Sequence, residues 1–334
     1  MAITPALSVI MSVFNGVHHL YPAVRSILDQ TFTDFEFLIV NDGSTDGSGD
    51  VLKNMAKCDS RIKLTERENR GLIGSLNEMI DAARAPLLAR MDCDDVAMPS
   101  RFARQVAFLH GNPSIGILGS NSHDLDVCGR IIRPSEDYPL TPDQALARLP
   151  DGPPLCHPSV MMRTCVVREL GGYRAAFRHA EDYDLWLRAS VQTQIANLPE
   201  RLLLYRRSAN QVSKRHASEQ AKAAAIAWHD HQRCNAGKVS LFDDCADLPK
   251  IAQLDAFFQQ DGISSEVRKT LVEKLRYSPD MIHGPEFGMM LDQVRSGDSF
   301  EGAGRTILRL GRKGRVIRAA SLAAVMTGLL LSSS

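Results

Sequence analysis

The chain has 334 residues, about 44% of them hydrophobic, which suits one large domain or two modest ones with a sizeable core. Its 39 Lys and Arg balance 39 Asp and Glu, so no net charge draws it to a polyanion, and no nucleic acid partner is expected. Seven scattered cysteines without a CxxC pair argue against a disulfide framework and point to reduced thiols in the cytoplasm.

Met1–Ala6 carries no basic side chain, and the apolar run from Leu7 to Phe14 is short, so no signal peptide is expected. That run reads as a buried strand. His18–Gln30 reads as a helix, and Phe35–Val40 as a second strand ending at the turn Asn41-Asp42-Gly43-Ser44-Thr45-Asp46-Gly47. A helix over roughly Gly47–Lys57 and a short strand at Ile62–Leu64 follow. The spacing of Leu72, Leu76, Met79, Ile80 and Ala83 predicts a helix over Leu72–Arg84. Leu87–Met91 is another strand, ending at Asp92-Cys93-Asp94-Asp95. This alternation predicts an α/β fold, a mostly parallel sheet with helices on both faces. Ligands of such sheets sit beyond the carboxyl ends of the strands, where both acidic turns fall.

The middle of the chain is less regular. Residues 124–132 suggest a hairpin around Cys128-Gly129, Ser159–Arg163 a strand, and Glu181–Ser190 a helix with Tyr183, Trp186 and Leu187 on one face. From about His216 the pattern is helical. Between 302 and 319 stand Arg305, Arg309, Arg312, Lys313, Arg315 and Arg318 with no acid, followed by the 13 apolar or small residues Ala319–Leu331. That run is shorter than the roughly 20 residues that span a bilayer. The segment 302–331 suits peripheral attachment to an anionic membrane surface, and equally a terminal helix packed on the protein.

Three acidic motifs carry the chemistry. Asp42, at a strand end before a Gly/Ser turn, is placed to accept hydrogen bonds from a base or ribose, although Asn, Asp, Gly and Ser also simply form turns. Asp92, Asp94 and Asp95 repel one another unless a cation or donors offset them, and hard divalent cations bind carboxylate oxygen while leaving positions for phosphate. Acids also favour helix starts, the plainer reading. Glu181-Asp182 opens a helix and offers a general base, or again a helix N-terminal charge. Arg70 offers a guanidinium to a base or phosphate.

Together, SVIMSVFNG, FEFLIVNDGSTDGS, ENRGL, ARMDCDDVAMPSRFARQ, HPSVMMR and GGYRAAFRHAEDYDLWLR, in this order from about Leu7 to Ser213, resemble the family 2 glycosyltransferases, inverting enzymes with the GT-A fold. The resemblance implies a GT-A-type, Rossmann-like glycosyltransferase domain over 1–215 and a helical C-terminal region over 216–334. It implies a nucleotide-sugar donor, UDP by the family's habit, and transfer of one sugar to a glycan or lipid-linked acceptor. Asp42 would hold the base, with the backbone from Ser12 to Phe14 lining that pocket and Arg70 near the nucleotide. Asp92 would lie by the ribose, and Asp94 would bind Mn2+ or Mg2+ on the diphosphate with Asp95 behind it. Asp182 would be the catalytic base, helped by Glu181. A cytoplasmic enzyme, peripheral on the inner face of the membrane and serving bacterial surface polysaccharide assembly, is the corresponding expectation.

One departure stands out. Relatives often carry a His in a YRxHxxQxS segment, and here Ser208 takes its place. Arg206 or Arg207 could neutralise diphosphate instead, or His216 could substitute, and a Cys93 thiolate ligand is conceivable. Two other readings compete. A sugar nucleotidyltransferase would carry a Gly-rich loop with nearby Arg and Lys after the first strand, where FNGVHHL stands. A membrane-docked binding protein with a decayed site would bind nucleotide without turnover.

Overall fold

The computed structural model describes residues 4–208, 211, 215–276, 278, 284, 287–295 and 303–332. The first half alternates as expected: β1 (Leu7–Val13), α1 (Val17–Leu28), β2 (Phe35–Asp42), α2 (Ser48–Cys58), β3 (Ile62–Arg67), α3 (Gly71–Ala82) and β4 (Leu87–Asp92). These four strands lie in the order β3-β2-β1-β4, all parallel. Every residue of β2 is buried and nearly every one of β1, because both faces of this part of the sheet are covered; such strands are dominated by apolar residues. On α1 the buried residues Leu20, Ala23, Val24, Ile27 and Leu28 recur at helical spacing and close one face.

The chain continues through β5 (Val96–Ala97), α4 (Arg101–Gly111), β6 (Ile115–Leu125), β7 (Ile131–Pro134), α5 (Pro142–Arg148), β8 (Met161–Arg163), α6 (Thr164–Glu169), α7 (Glu181–Gln192) and β9 (Gln194–Arg206). The sheet runs on from β4 through β8, β6 and β9 to β5, with β7 beside β6. Here pairing is mixed: β8 is antiparallel to β4 and β6, whereas β6 and β9 are parallel. The parallel arrangement thus belongs to the first four strands and to one later pair. The register of β6 on β9 slips around Ser120 and Asn121, opposite Pro199, whose missing N–H breaks the ladder. Asn121 Nδ2 donates to the Pro199 carbonyl at 3.2 Å. The predicted hairpin is present, with Gly129 at φ 83° and Asp126 Oδ1 accepting from the Cys128 and Arg130 N–H groups.

These elements form one compact unit, Met1–Ala175 with Glu181–Gln211; Ala176–Ala180 with Val212–Ser334 form a second. The described residues of the second unit are helical, as the pattern suggested: α8 (Ala217–Asn235), α9 (Leu254–Phe258), α10 (Ile263–Leu275), α11 (Phe287–Arg295), α12 (Ala303–Arg312) and α13 (Val316–Ser332). An aromatic cluster ties it together, with Phe242 at 5.0 Å from Phe177, 5.1 Å from Phe257 and 6.0 Å from Phe258.

A buried polar knot joins the parallel strands at their amino ends. Glu36, only 4% exposed, accepts from Ser8 Oγ at 2.6 Å and from the Arg84 N–H at 2.8 Å, and pairs with the Arg84 guanidinium. Ser8 Oγ accepts from Ala85 N in turn. Burial alone would raise the Glu36 carboxyl, but the Ser8 and Arg84 hydrogen bonds outweigh it and hold the group below its ordinary range. A lowered carboxyl contributes stability above its unfolded pKa and loses it as pH falls through the folded value. Glu36→Gln should therefore cost about 3 kcal/mol in urea unfolding at pH 7, on the scale of lost charge-assisted bonds. The gap from wild type should narrow on acidification below about pH 4; a gap that widened there would contradict the knot.

Candidate active site

The site is built where β1, β2 and β4 end side by side. In the registers, Ser12 stands between Val40 and Asp92, and Val13 faces Asn41. The turns beyond are stitched together. The Asn15 N–H donates to Ser44 Oγ at 3.0 Å, and Asn15 Oδ1 accepts from the Thr45 N–H at 2.8 Å. Asp46 accepts from the first N–H of α1, at Val17, and from Ser48 Oγ. Phe14 keeps about half of its surface exposed at this rim (53%).

Asp42 is buried, and three donors converge on its carboxylate: the Arg67 guanidinium in a close ion pair, and the N–H groups of Arg70 and Gly71, each at 2.9 Å. A carboxylate has about four acceptor positions, so roughly one remains, on Oδ2. The first role of Asp42 is therefore to fix the Asn69-Arg70-Gly71 turn, whose Asn69 Nδ2 also donates to the Asp42 carbonyl. The Arg70 side chain is exposed at that turn. Gly43, at φ 77°, must be glycine, since a Cβ there would stand 2.8 Å from Asn69 N. Arg67 escaped the sequence reading; it faces Asp42 only through the pairing of β2 with β3, and is itself held by Glu78 and Ser75.

At the end of β4, Asp92, Asp94 and Asp95 bring carboxylate oxygens within 4.8 Å of one another. Arg90, nearly fully buried, grips Asp92 with a hydrogen bond at 2.7 Å and a second ion-pair contact at 2.6 Å. Arg101, fully buried, donates to the Arg90 carbonyl at 2.8 Å and so fixes the strand just before the cluster. Asp95 Oδ1 accepts from the Arg206 N–H at 2.7 Å, while its buried Oδ2 has no partner. Burial, then the charge of Asp92, pushes Asp94 up to about 6; Asp95 is raised well above its ordinary value by burial and both neighbours.

The alternatives offered for position 208 look different in the fold. The Arg206 guanidinium donates to the Asp94 carbonyl at 2.6 Å and the Asp126 carbonyl at 2.8 Å, so it serves the backbone and does not stand ready for diphosphate. Arg207 pairs with Asp124 and stacks over Tyr205. His216 belongs to the second unit. The Cys93 thiol is pushed up by burial and by the three aspartates, which argues against a thiolate; its Sγ packs on Gly16.

Asp182 opens α7 half-buried beside the buried Glu181, and its Oδ1 accepts from the Tyr183 N–H at 2.7 Å. Its carboxyl is raised, chiefly by burial, with Tyr183 N–H and Arg90 opposing and Asp92 adding to the rise. Asp182 therefore feels the charges of Arg90 and Asp92. Asp184 in the same helix plays a different part, since it is buried between Arg174 and Arg188 and anchors α7. His157 is buried with Nε2 2.8 Å from the Tyr173 hydroxyl and its ring edge-on to Trp186, a structural position.

The family model described as glycosyl transferase family 2 matches residues 8–171, and with it Asp42, Arg70, Asp92, Asp94 and Asp95. The O-antigen biosynthesis glycosyltransferase WbnJ of Escherichia coli is 31% identical over 210 residues, 62% of this chain and 81% of its own. EpsE of Bacillus subtilis, provisionally named a glycosyltransferase, is 33% identical over 72% of this chain and 85% of its own. The chain belongs to glycosyl transferase family 2. Among solved structures this glycosyltransferase is similar to S. aureus TarS 1–349 in complex with UDP, with a TM-score of 0.58 at 16% identity over 97% of this chain and 88% of that one. It is similar also to the mannosyltransferase PcManGT of Pyrobaculum calidifontis in complex with GDP-Man and Mn2+, with a TM-score of 0.55 at 14% identity over 100% of this chain and 89% of that one. At such identities the likeness shows a shared fold, GT-A-like in its curled mixed sheet and flanking helices. Glu181 and Asp182 lie beyond the segment matched by the family model.

A raised carboxyl favours the fold below its unfolded pKa, and that contribution is lost as pH rises through the folded value. For Asp94 the window runs from about 3.8 to about 6. In chelator at pH 7.5, Asp94→Asn should therefore stabilise the enzyme by about 1–3 kcal/mol, read as a melting temperature higher by a few degrees. The gain should vanish below about pH 4. A variant less stable than wild type at pH 7.5 would contradict the raised carboxyl.

Proposed function

We propose that this glycosyltransferase is an inverting, metal-dependent enzyme that moves a single sugar from a nucleotide-sugar, of the UDP class, to an acceptor hydroxyl in cell-surface polysaccharide or glycolipid assembly. The observation that carries the reading is the convergence of the three aspartates at the end of β4, with Asp182 in the field of Asp92 and Arg90. The site fits a hard cation: its donors are all carboxylate oxygens, and a buried Asp95 oxygen lacks any partner. Asp94 and Asp92 would hold Mn2+ or Mg2+, with Asp95 behind them. When bound, such an ion offsets the charge that develops on a departing diphosphate.

The remaining work falls to the chain. Asp42 and Arg67 hold the turn that presents Arg70 to the nucleotide, and Ser12 to Phe14 line the base pocket, with the exposed Phe14 ring available to a base. Asp182 takes the proton from the acceptor hydroxyl, and a carboxyl raised by burial is a stronger base for that step. Glu181 helps to place it. Support for the donor class comes from TarS, solved with UDP and with UDP-GlcNAc, and from PcManGT, solved with GDP-Man and Mn2+. Support for the setting comes from WbnJ and from AmsE of Erwinia amylovora, named for O-antigen and amylovoran biosynthesis.

In this reading residues 1–215 are the catalytic domain and 216–334 an appended helical region. Among the described residues no helix is long and apolar enough to cross a membrane. On α12 and α13 the side chains of Leu308, Val316 and Ile317 are exposed amid Arg305, Arg309, Arg312 and Arg315. That mixture suits docking on an anionic membrane surface near a lipid-linked acceptor, on the inner face of the membrane.

Calorimetric titration of UDP, GDP and dTDP, each with and without Mn2+, tests the donor site. One nucleotide should bind in a metal-dependent way, and Asp94→Ala should abolish that dependence. Asp182→Asn should keep nucleotide binding and lose transfer by about 10²–10⁴-fold, the usual worth of a positioned base. Absence of nucleotide binding under every condition would remove the donor-site reading, and unimpaired transfer by Asp182→Asn would remove the base.

A further inference from the structure

A second group of metal-ligating side chains lies wholly within the helical unit. His179 stands in its Ala176–Ala180 stretch, and His216 and Glu219 stand at the start of α8. One ligand atom from each lies within 4.8 Å of the others. The two imidazole rings are stacked, with centroids 4.2 Å apart and planes 12° from parallel, so one ring must turn about its side-chain bonds before both in-plane nitrogen lone pairs meet a single ion. Glu219 Oε2 is 3.7 Å from His179 Nε2 and in close contact with His216 Nδ1.

This arrangement is held from the backbone. His179 has φ 71°, a left-handed conformation that costs a non-glycine residue on the order of 1 kcal/mol. Its carbonyl accepts from Gln220 Nε2 at 2.8 Å, so the helix that carries Glu219 also grips His179.

We propose that His179, His216 and Glu219 form a binding site for one divalent transition-metal ion of the zinc, cobalt or nickel kind. Two imidazole nitrogens and one carboxylate oxygen are a donor set such ions take, leaving positions for water. The set differs in kind from the all-oxygen cluster of Asp92, Asp94 and Asp95, so the two sites select different ions. The carboxylate of Glu219 supplies the negative charge that offsets the nearby Arg178. A bound ion would pin His179 to the first turn of α8, two residues ahead of Glu181 in the chain.

The test is calorimetric and spectroscopic titration of Co2+ into the full-length protein in excess Mg2+, which saturates hard oxygen sites and leaves imidazole free. Wild type should bind one Co2+ with visible absorption typical of nitrogen ligation. His179→Asn, chosen because Asn tolerates a left-handed backbone, and His216→Asn should each weaken it at least tenfold. The cysteines are the same in every variant, so the difference reports the imidazoles alone. Should His179→Asn fail to fold, as seen by circular dichroism, the exposed Glu219→Gln decides by the same loss. Equal Co2+ affinity in wild type and variants, or no Co2+ binding by wild type, would overturn the site. Nucleotide binding measured in Mg2+ alone reports the donor site separately, so either reading can fail without the other.

Discussion

Three like charges at the end of one central strand set the terms for the rest of the catalytic unit. Asp92, Asp94 and Asp95 are partly or fully buried and repel one another, which is why Asp94 and Asp95 hold protons so far above the ordinary carboxylate range. Such a cluster survives only if the surroundings over-determine it. Arg90 grips Asp92 from within the same strand, Arg101 fixes the Arg90 carbonyl, and Arg206 reaches over from β9 to the Asp94 carbonyl and the Asp95 carboxylate. Buried ion pairs of this type contribute little net stability against a well-packed apolar core. Their worth here is placement, and the fold bears a strain that a bound cation would relieve.

The two halves of the sheet divide the labour that follows from this cluster. The parallel half brings the ends of β1, β2 and β4 into line, so that Ser12, the Asp42 turn and Asp92 form one rim. The mixed half delivers what the rim lacks. β8 returns antiparallel along β4, and β9 places Arg206 against the acids. α7 is locked by Asp184 between Arg174 and Arg188, which leaves Asp182 in the field of Arg90 and Asp92. The EDYD acids therefore differ: Asp184 is an anchor, whereas Asp182 stays in the field of Arg90 and Asp92.

How much of this was legible in the sequence follows the same division. β1, β2 and β4 announce themselves as short runs dominated by apolar residues, interrupted by Ser8, Glu36 and Arg90, because both faces of their sheet are buried, and the Asp-rich turns at their ends are visible as punctuation. β6 and β9 are the longest strands and passed unread. Ile115–Leu125 holds Gly, Ser and Asn, and Gln194–Arg206 holds a proline, and tertiary pairing with a slipped register overrides those weak propensities. The motif acids were legible; their partners were not. Arg67 meets Asp42 through strand pairing, and Arg206 meets Asp94 and Asp95 across more than a hundred residues, so neither relation has a local signature.

Position 208 shows what this geometry does to an apparent departure. Arg206 is attached to the acidic cluster twice, once through its own N–H on Asp95 and once through Nε on the Asp94 carbonyl, and its carbonyl is held by Gln211 Nε2 at 2.8 Å. Arg206 and Gln211 are thus tied together across position 208. A serine there alters the chemistry presented two residues beyond Arg206 while leaving the attachment of the chain intact. The buried arginines offset part of the repulsion among the aspartates. The Asp95 oxygen left without a partner marks where their compensation ends.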